Sequence, residues 1–350
     1  MRPLYCHLSI ACTLSVGCTE QSPQLPPVQV SGTLLSYAAD EDIEICPATI
    51  PYLEQWMIAI ADKLGIPEHE LTPTTYYLVD QATSQELCEG GDLSIHCADH
   101  VDGQVNVYAY HPMNRHELVH AVTAGTKVGP PFLEEGLATL LDDGVPVDLM
   151  PSIDAEDLDD LIELQDPRDQ LDVYGVAAYI LYWVAQRHGL EALAQLRFAV
   201  EAPTSAAAFR AAFEATLGES LDEMLAEVEG QPGCQLVTCI GEPTPWVDGQ
   251  WTTYSPTGCE GGAIGVRQPE GDHILRHAIV EIAETGIYEI STPSHGVFLD
   301  ACEQPCSFNH SFGLSVGSHD YPLAAGRYRV ETWSAGPGQP TYDVQIRLAE

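Results

Sequence analysis

Apolar positions change their period twice along this chain, and the changes divide it into segments. Leu53, Met57, Ile60 and Leu64 recur every three to four residues and predict a helix over residues 50–64, closed by Gly65 and Pro67. Residues 33–37 and 74–79 read as strands, and residues 104–110 alternate through Val105, Val107 and Ala109 as an edge strand does. Helical spacing then dominates residues 132–229, most apolar over 174–188, with further helices at 206–217 and 221–228. Beyond Gly230-Gln231-Pro232-Gly233 the period falls to two. Short alternating runs at 278–282, 287–291, 328–332 and 342–348 are separated by turn residues, and Tyr342, Val344, Ile346 and Leu348 share one face of the last. The expectation is an α+β chain: a mostly helical domain over residues 32–230, then an all-β sandwich or jelly roll over 231–350. At 350 residues there is material for two cores.

The N-terminus adds an address. Residues 8–17 are apolar or small, Cys18 follows Leu14-Ser15-Val16-Gly17, and the chain then turns polar and proline-rich. Residues 1–17 resemble a bacterial lipoprotein signal, with Cys18 acylated as the first mature residue and residues 18–31 a polar linker. An ordinary cleaved signal is the alternative. Either way export is expected, and membrane attachment only through a lipid on Cys18. The cysteines agree: setting aside Cys6, Cys12 and Cys18 leaves the even set 46, 88, 97, 234, 239, 259, 302 and 306, without a CxxC pair. Disulfides are expected in place of a thiolate metal site, with Cys88–Cys97 and Cys302–Cys306 as the local pairs.

Charge removes one class of function. Lys+Arg 13 against Asp+Glu 52 gives a net charge of -39, so nothing would neutralise a phosphate backbone and nucleic acid is not a partner. The acidity reads as a solvated surface that keeps an exported protein in solution, with a preference for basic substrates as the alternative.

The chemistry concentrates in His116-Glu117-Leu118-Val119-His120. Residues four apart share a helix face, so His116 and His120 can present both imidazoles to one zinc ion, and Glu117 can serve as a general base without being a ligand. An exposed helix with paired histidines is the other reading. Catalytic zinc takes three protein ligands and keeps one position open. Thr123 and Thr126 stand where a metzincin would carry the glycine and histidine that follow this motif, so the third ligand comes from elsewhere. Phe132-Leu133-Glu134-Glu135-Gly136-Leu137-Ala138 is the natural supplier, with Gly136 leaving room for close approach to the histidine helix. Glu134, about 100° around the helix from Glu135, is expected toward solvent or behind the ligands. Asp142 and Asp143 could orient a ligand imidazole or form a solvated turn.

At these two motifs the chain resembles the gluzincin metallopeptidases, a group that includes thermolysin and the aminopeptidase N family. The resemblance spans roughly residues 105 to 200. It implies a zincin-like fold for the helical domain, one zinc ion, and Glu135 as the third ligand, being the glutamate before glycine in the aromatic-Leu-x-Glu-Gly-x-Ala pattern. It also implies that Tyr174, which opens the helix Tyr174-Gly175-Val176-Ala177-Ala178, stabilises the oxyanion; a half-buried aromatic is the plainer reading. Tyr179 and Tyr182 read as core. The Gly-x-Met-Glu-Asn segment with which aminopeptidases hold a substrate amino terminus is absent, which favours an endopeptidase acting on peptides or proteins. Residues 286–290, 297–302 and 323–330 resemble the pre-peptidase C-terminal domain of secreted bacterial peptidases, implying an accessory role. A catalytically silent, surface-anchored binding protein is the competing expectation.

Overall fold

A computed structural model describes residues 23–88, 96–142, 155–166, 170, 172–269, 271–292, 296–302, 311–314, 316–334 and 343–349. The expected signal, Cys18, Cys306, Asp143 and Tyr342 lie outside the described residues.

The fold is α+β. Its N-terminal part begins with β1 (Val28–Ser31), β2 (Leu35–Ala38), β3 (Glu44–Ile45), α1 (Thr49–Lys63), β4 (Thr74–Leu78), α2 (Gln81–Leu87), β5 (Cys97–Val101) and β6 (Gln104–Ala109). Five of these strands form one sheet in the order β1-β2-β4-β6-β5, parallel between β2, β4 and β6 and antiparallel at both edges. Part of the expected linker is therefore strand β1. The edge beside the histidine helix is β5, where the alternation of residues 104–110 had suggested β6. The chain reverses between β5 and β6 at Asp102-Gly103, both with positive φ (52° and 80°), the conformation of a two-residue hairpin turn.

Helices follow as α3 (Arg115–Thr123), α4 (Pro131–Leu141), α5 (Ala155–Ile162), α6 (Asp172–His188), α7 (Glu191–Ala199), α8 (Ala206–Leu217) and α9 (Leu221–Val228). The periodicity of residues 50–64 is satisfied by α1, which buries Leu53, Trp56, Met57 and Ile60 against Tyr37, Tyr76 and Val107 of the sheet. Tyr179 and Tyr182 of α6 are core residues, as expected. Among the described residues no helix is long and apolar enough to cross a membrane.

The C-terminal strands are β7 (Gln250–Tyr254), β8 (Ile264–Gln268), β9 (Gly271–Ile282), β10 (Gly286–Thr292), β11 (Val297–Ala301), β12 (Ser311–Gly313), β13 (Gly317–Leu323), β14 (Gly326–Trp333) and β15 (Asp343–Leu348). They form two antiparallel sheets, β13-β10-β15-β7 and β12-β11-β14-β9-β8, and β3 from the N-terminal part adds an edge to the second. Trp251, Val280, Ile290, Val330, Val344 and Ile346 from both sheets share one core, while Ile264, Val266 and Leu275 belong to the core of the helical part.

Disulfides join Cys46 to Cys259, Cys88 to Cys97 and Cys239 to Cys302, and Cys234 is also bridged. Such bonds persist in an oxidising, extracellular setting. The Cys88–Cys97 expectation holds, whereas Cys302 pairs with Cys239 and not with Cys306. The reason is a segment that the strand pattern did not reveal: residues 239–244 run along β9 and β14. His277 Nε2 lies 3.0 Å from the Ile240 carbonyl, Arg327 Nη2 donates to the Gly241 carbonyl (2.8 Å), and the Thr244 amide donates to Ile279 (2.8 Å).

One ion pair crosses from the C-terminal sheets to the first turn of α3. Arg115 Nη2 lies 2.6 Å from Glu331 Oε1 and donates to the Tyr52 hydroxyl (2.7 Å); both side chains of the pair are almost fully buried. Burial alone would raise the Glu331 carboxyl, but the charges of Arg115 and Arg329 and a hydrogen bond from His277 outweigh it and hold it well below the ordinary value. Because its folded value lies below the unfolded one of about 4.3, its contribution to stability is present above that pH and fades as pH falls further. Glu331→Ala, which leaves a buried guanidinium uncompensated, is expected to cost about 3–5 kcal/mol, read as a lower urea midpoint at pH 7. An unchanged midpoint would show that the pair does not anchor α3.

Candidate active site

The approach to α3 is fixed from the sheet. Tyr37 of β2 and Tyr76 of β4 are fully buried and stack at 5.0 Å. The Tyr37 hydroxyl donates to the Pro112 carbonyl (2.8 Å); that of Tyr76 donates to the His111 carbonyl and accepts from the Asn114 amide (2.8 Å). Asn114 then caps α3, its side-chain oxygen accepting from the Glu117 amide at 3.2 Å. Backbone groups that a loop would otherwise leave to water are thus spent on aiming the helix.

The histidines on α3 and the glutamate on α4 meet. His116 Nε2 and His120 Nε2 lie 3.3 Å apart, and Glu135 Oε2 is 3.0 Å from the first and 3.4 Å from the second. These three form a possible metal-holding group, all within 4.8 Å of one another. Zinc bonded tetrahedrally at ~2.0–2.2 Å requires donor atoms about 3.3–3.6 Å apart, so the observed triangle lies at or just under the required edge. Each side chain keeps 16–19 % of its surface accessible, which leaves one side of the triangle open to the cleft. The donor set fits a zinc ion.

Electrostatics agree with a cation there. Burial would lower His120, yet the charge of Glu135 and its hydrogen bond, with Glu117 and Glu134 behind, push it up to about 9. Burial would raise Glu135, and the two imidazoles outweigh this and hold it well below the carboxylate range. Glu117 is 7 % exposed, and burial raises its carboxyl against the opposing pull of His116 and His120.

A cleft of about 840 Å³ opens over these groups, lined by His116, Glu117, His120, Glu135 and Tyr174 and bounded on one side by Cys97, Ala98 and His100 of β5. The Tyr174 ring centroid is 5.8 Å from that of His116, which places this tyrosine at the expected wall of the site.

One expectation changes. Gly136 makes room for α6 and not for α3: a Cβ there would come within 2.5 Å of the Ala177 side chain and 2.8 Å of its carbonyl carbon. Of the two places expected for Glu134, the structure shows the one behind His120 and away from solvent. It accepts from Arg197 Nε (2.7 Å) and from the Gly129 amide (2.5 Å), and Arg197 also donates to Thr126 Oγ1 (2.5 Å) and the Thr123 carbonyl (3.4 Å). Arg197, 4 % exposed and lining the cleft, was absent from the sequence-based site. Its one signal was scarcity, since a chain with 13 cations rarely buries one without a fixed partner. Asp142, at the C-cap of α4, accepts from Gln235 Nε2 at 2.7 Å and lines a second cavity.

No family model matches the chain, and no curated protein matches it. Among solved structures it is similar to the crystal structure of a protein of unknown function (DUF1255) from Acinetobacter sp. ADP1, at 13 % identity and a TM-score of 0.14, over 30 % of this chain and 98 % of that one. A likeness that slight carries no argument about fold or function.

Because the contact at Gly136 is with the Cβ and backbone of Ala177, none of which can swing aside, Gly136→Ala must push α4 away from α6 and move Glu135 with it. The expected outcome is a loss of about 1–3 kcal/mol, together with weaker zinc binding in a competition titration. Unchanged affinity would mean that this contact does not set the ligand's position.

Proposed function

We propose that this chain is an exported zinc metallopeptidase with a zincin-like helical part, an endopeptidase in preference to an aminopeptidase. The observation that carries the reading is the convergence of His116, His120 and Glu135 from two helices, with Glu117 and Tyr174 beside them in one open cleft. His116, His120 and Glu135 would hold the ion. When bound, zinc supplies a water acidified to a pKa near ~7 and a Lewis acid for the scissile carbonyl.

The remaining chemistry belongs to side chains of this protein. Glu117, buried one residue along from the first ligand, takes the proton of the attacking water and delivers it to the departing amine nitrogen. Tyr174 donates a hydrogen bond to the carbonyl oxygen as it gains charge. The peptide C–N bond is broken by water with no covalent enzyme intermediate. Disulfides and the apolar leader support export, either lipid-anchored through Cys18 or freely secreted.

Native mass spectrometry is expected to find one zinc per chain, and a chelator to abolish cleavage of casein. Glu117→Gln should keep the metal and lose hydrolysis, since a carboxamide cannot accept the proton. Absence of a bound divalent ion, or full turnover by Glu117→Gln, would remove the reading.

Tyr174→Phe is expected to lower kcat by about 10²–10³-fold with zinc content unchanged. Tyr179, whose hydroxyl donates to the Val228 carbonyl at 2.9 Å, is the control. Tyr179→Phe should cost about 1 kcal/mol of stability and leave kcat unaltered. Equal kcat for the two variants would strip Tyr174 of its role and leave the metal assignment standing.

A further inference from the structure

His96 lines the same cleft as His116, Glu117 and His120, at the start of the wall that β5 makes. Its neighbour Cys97 is tied to Cys88 and pairs with Tyr108 of β6, so the backbone carrying the ring is held from two sides. The imidazole stacks on Tyr110 with centroids 4.5 Å apart and meets the His111 ring at 5.4 Å.

The two ring nitrogens are in different surroundings. Nδ1 is shut away from solvent and has no hydrogen-bond partner. Nε2 is the polar atom left open to the cleft, and it makes no hydrogen bond to the described residues. A buried N–H without an acceptor is rarer and costlier than a buried lone pair, so the neutral ring carries its proton on Nε2. Charging the ring would put a second proton on Nδ1, where nothing accepts it. Burial, with the charges of His111 and His116 behind it, pushes His96 down to about 4. At neutral pH the group facing the cleft is an uncharged N–H donor.

Such a group selects its partner. It cannot accept from a peptide N–H, because Nε2 already bears the proton. A carboxylate is best met by a charged ring, the form that the surroundings of Nδ1 penalise. A neutral carbonyl oxygen is the fitting acceptor, and a peptide chain supplies one per residue. We propose that His96 is a substrate-binding residue, its Nε2–H donating to a backbone carbonyl oxygen that flanks the scissile bond. Tyr174 serves the carbonyl under attack; His96 fixes the chain beside it. This hydrogen bond is made in the ground state, so it acts on affinity more than on turnover. The proposal rests on the peptidase reading.

Two measurements test it. Proton–nitrogen NMR of isotope-labelled histidines reads the tautomer, and the signal missing from His96→Phe identifies His96. The expected result at neutral pH is an uncharged ring protonated on Nε2. Binding is followed by anisotropy in zinc-loaded Glu117→Gln protein, with a fluorescein-labelled hexapeptide spanning a bond that the wild type cuts in casein. Adding His96→Phe keeps a ring on Tyr110 and removes the donor; it is expected to weaken binding about fivefold. Glutamine carries an N–H at about the reach of Nε2, so His96→Gln should bind within about twofold of the parent. An Nδ1–H or charged ring, unchanged binding in His96→Phe, equal losses in both variants, or no binding by the parent would overturn the contact, and casein cleavage would leave the peptidase reading standing. If the wild type cuts no bond in casein, the peptidase reading falls and the contact with it.

Discussion

Arg115 immediately precedes the first histidine of the His116/His120 pair, and its guanidinium is buried against Glu331, 216 positions later. Taking both charges out of water is costly, and their attraction offsets the cost only because the geometry is close and further groups complete the set. Tyr52 from α1 accepts from Arg115, while Arg329 and His277 lie on the other side of Glu331. Four segments thereby meet at the first turn of the histidine helix. The hydrophobic cores hold the two parts of the chain together without specifying a register; the ion pair specifies it, because a small displacement would leave a buried charge unmatched.

The same economy operates at the other helix. α4 is gripped by contact with α6 at Gly136, and by the Glu134–Arg197 pair, which reaches from α7 to α4 and the end of α3. The order of the cluster depends on such supports, since Glu135 Oε2 has to be held 3.0 Å from one imidazole and 3.4 Å from the other. Adjacent residues divide the labour: Glu135 turns toward the imidazoles and Glu134, a third of a turn away, fixes the helix.

Much of this was legible in residue order. The helices at residues 206–217 and 221–228 follow their apolar period to the residue, and the alternating runs after residue 270 became strands. Paired histidines and the Glu-Gly motif were readable because each is local: helical spacing alone puts the groups on a face. What was missed depends on contacts between distant segments. The identity of the edge strand hinged on Asp102-Gly103, a hairpin signal present in the sequence but outweighed by the stronger alternation of residues 104–110. Cys239, Arg197 and Glu331 have no local pattern. Their partners are chosen by tertiary packing, and for such residues periodicity is silent.

The Cys46–Cys259 bridge spans 213 residues, and His116, His120, Glu135 and Tyr174 all lie within the loop it closes. A backbone cut anywhere in that loop produces two fragments that remain one covalent molecule, with the severed helices still at high effective concentration beside their partners. A nick is then not a dissociation. In the oxidising setting where such a bond persists, the bridge turns a lethal break into a scar that shows only after reduction.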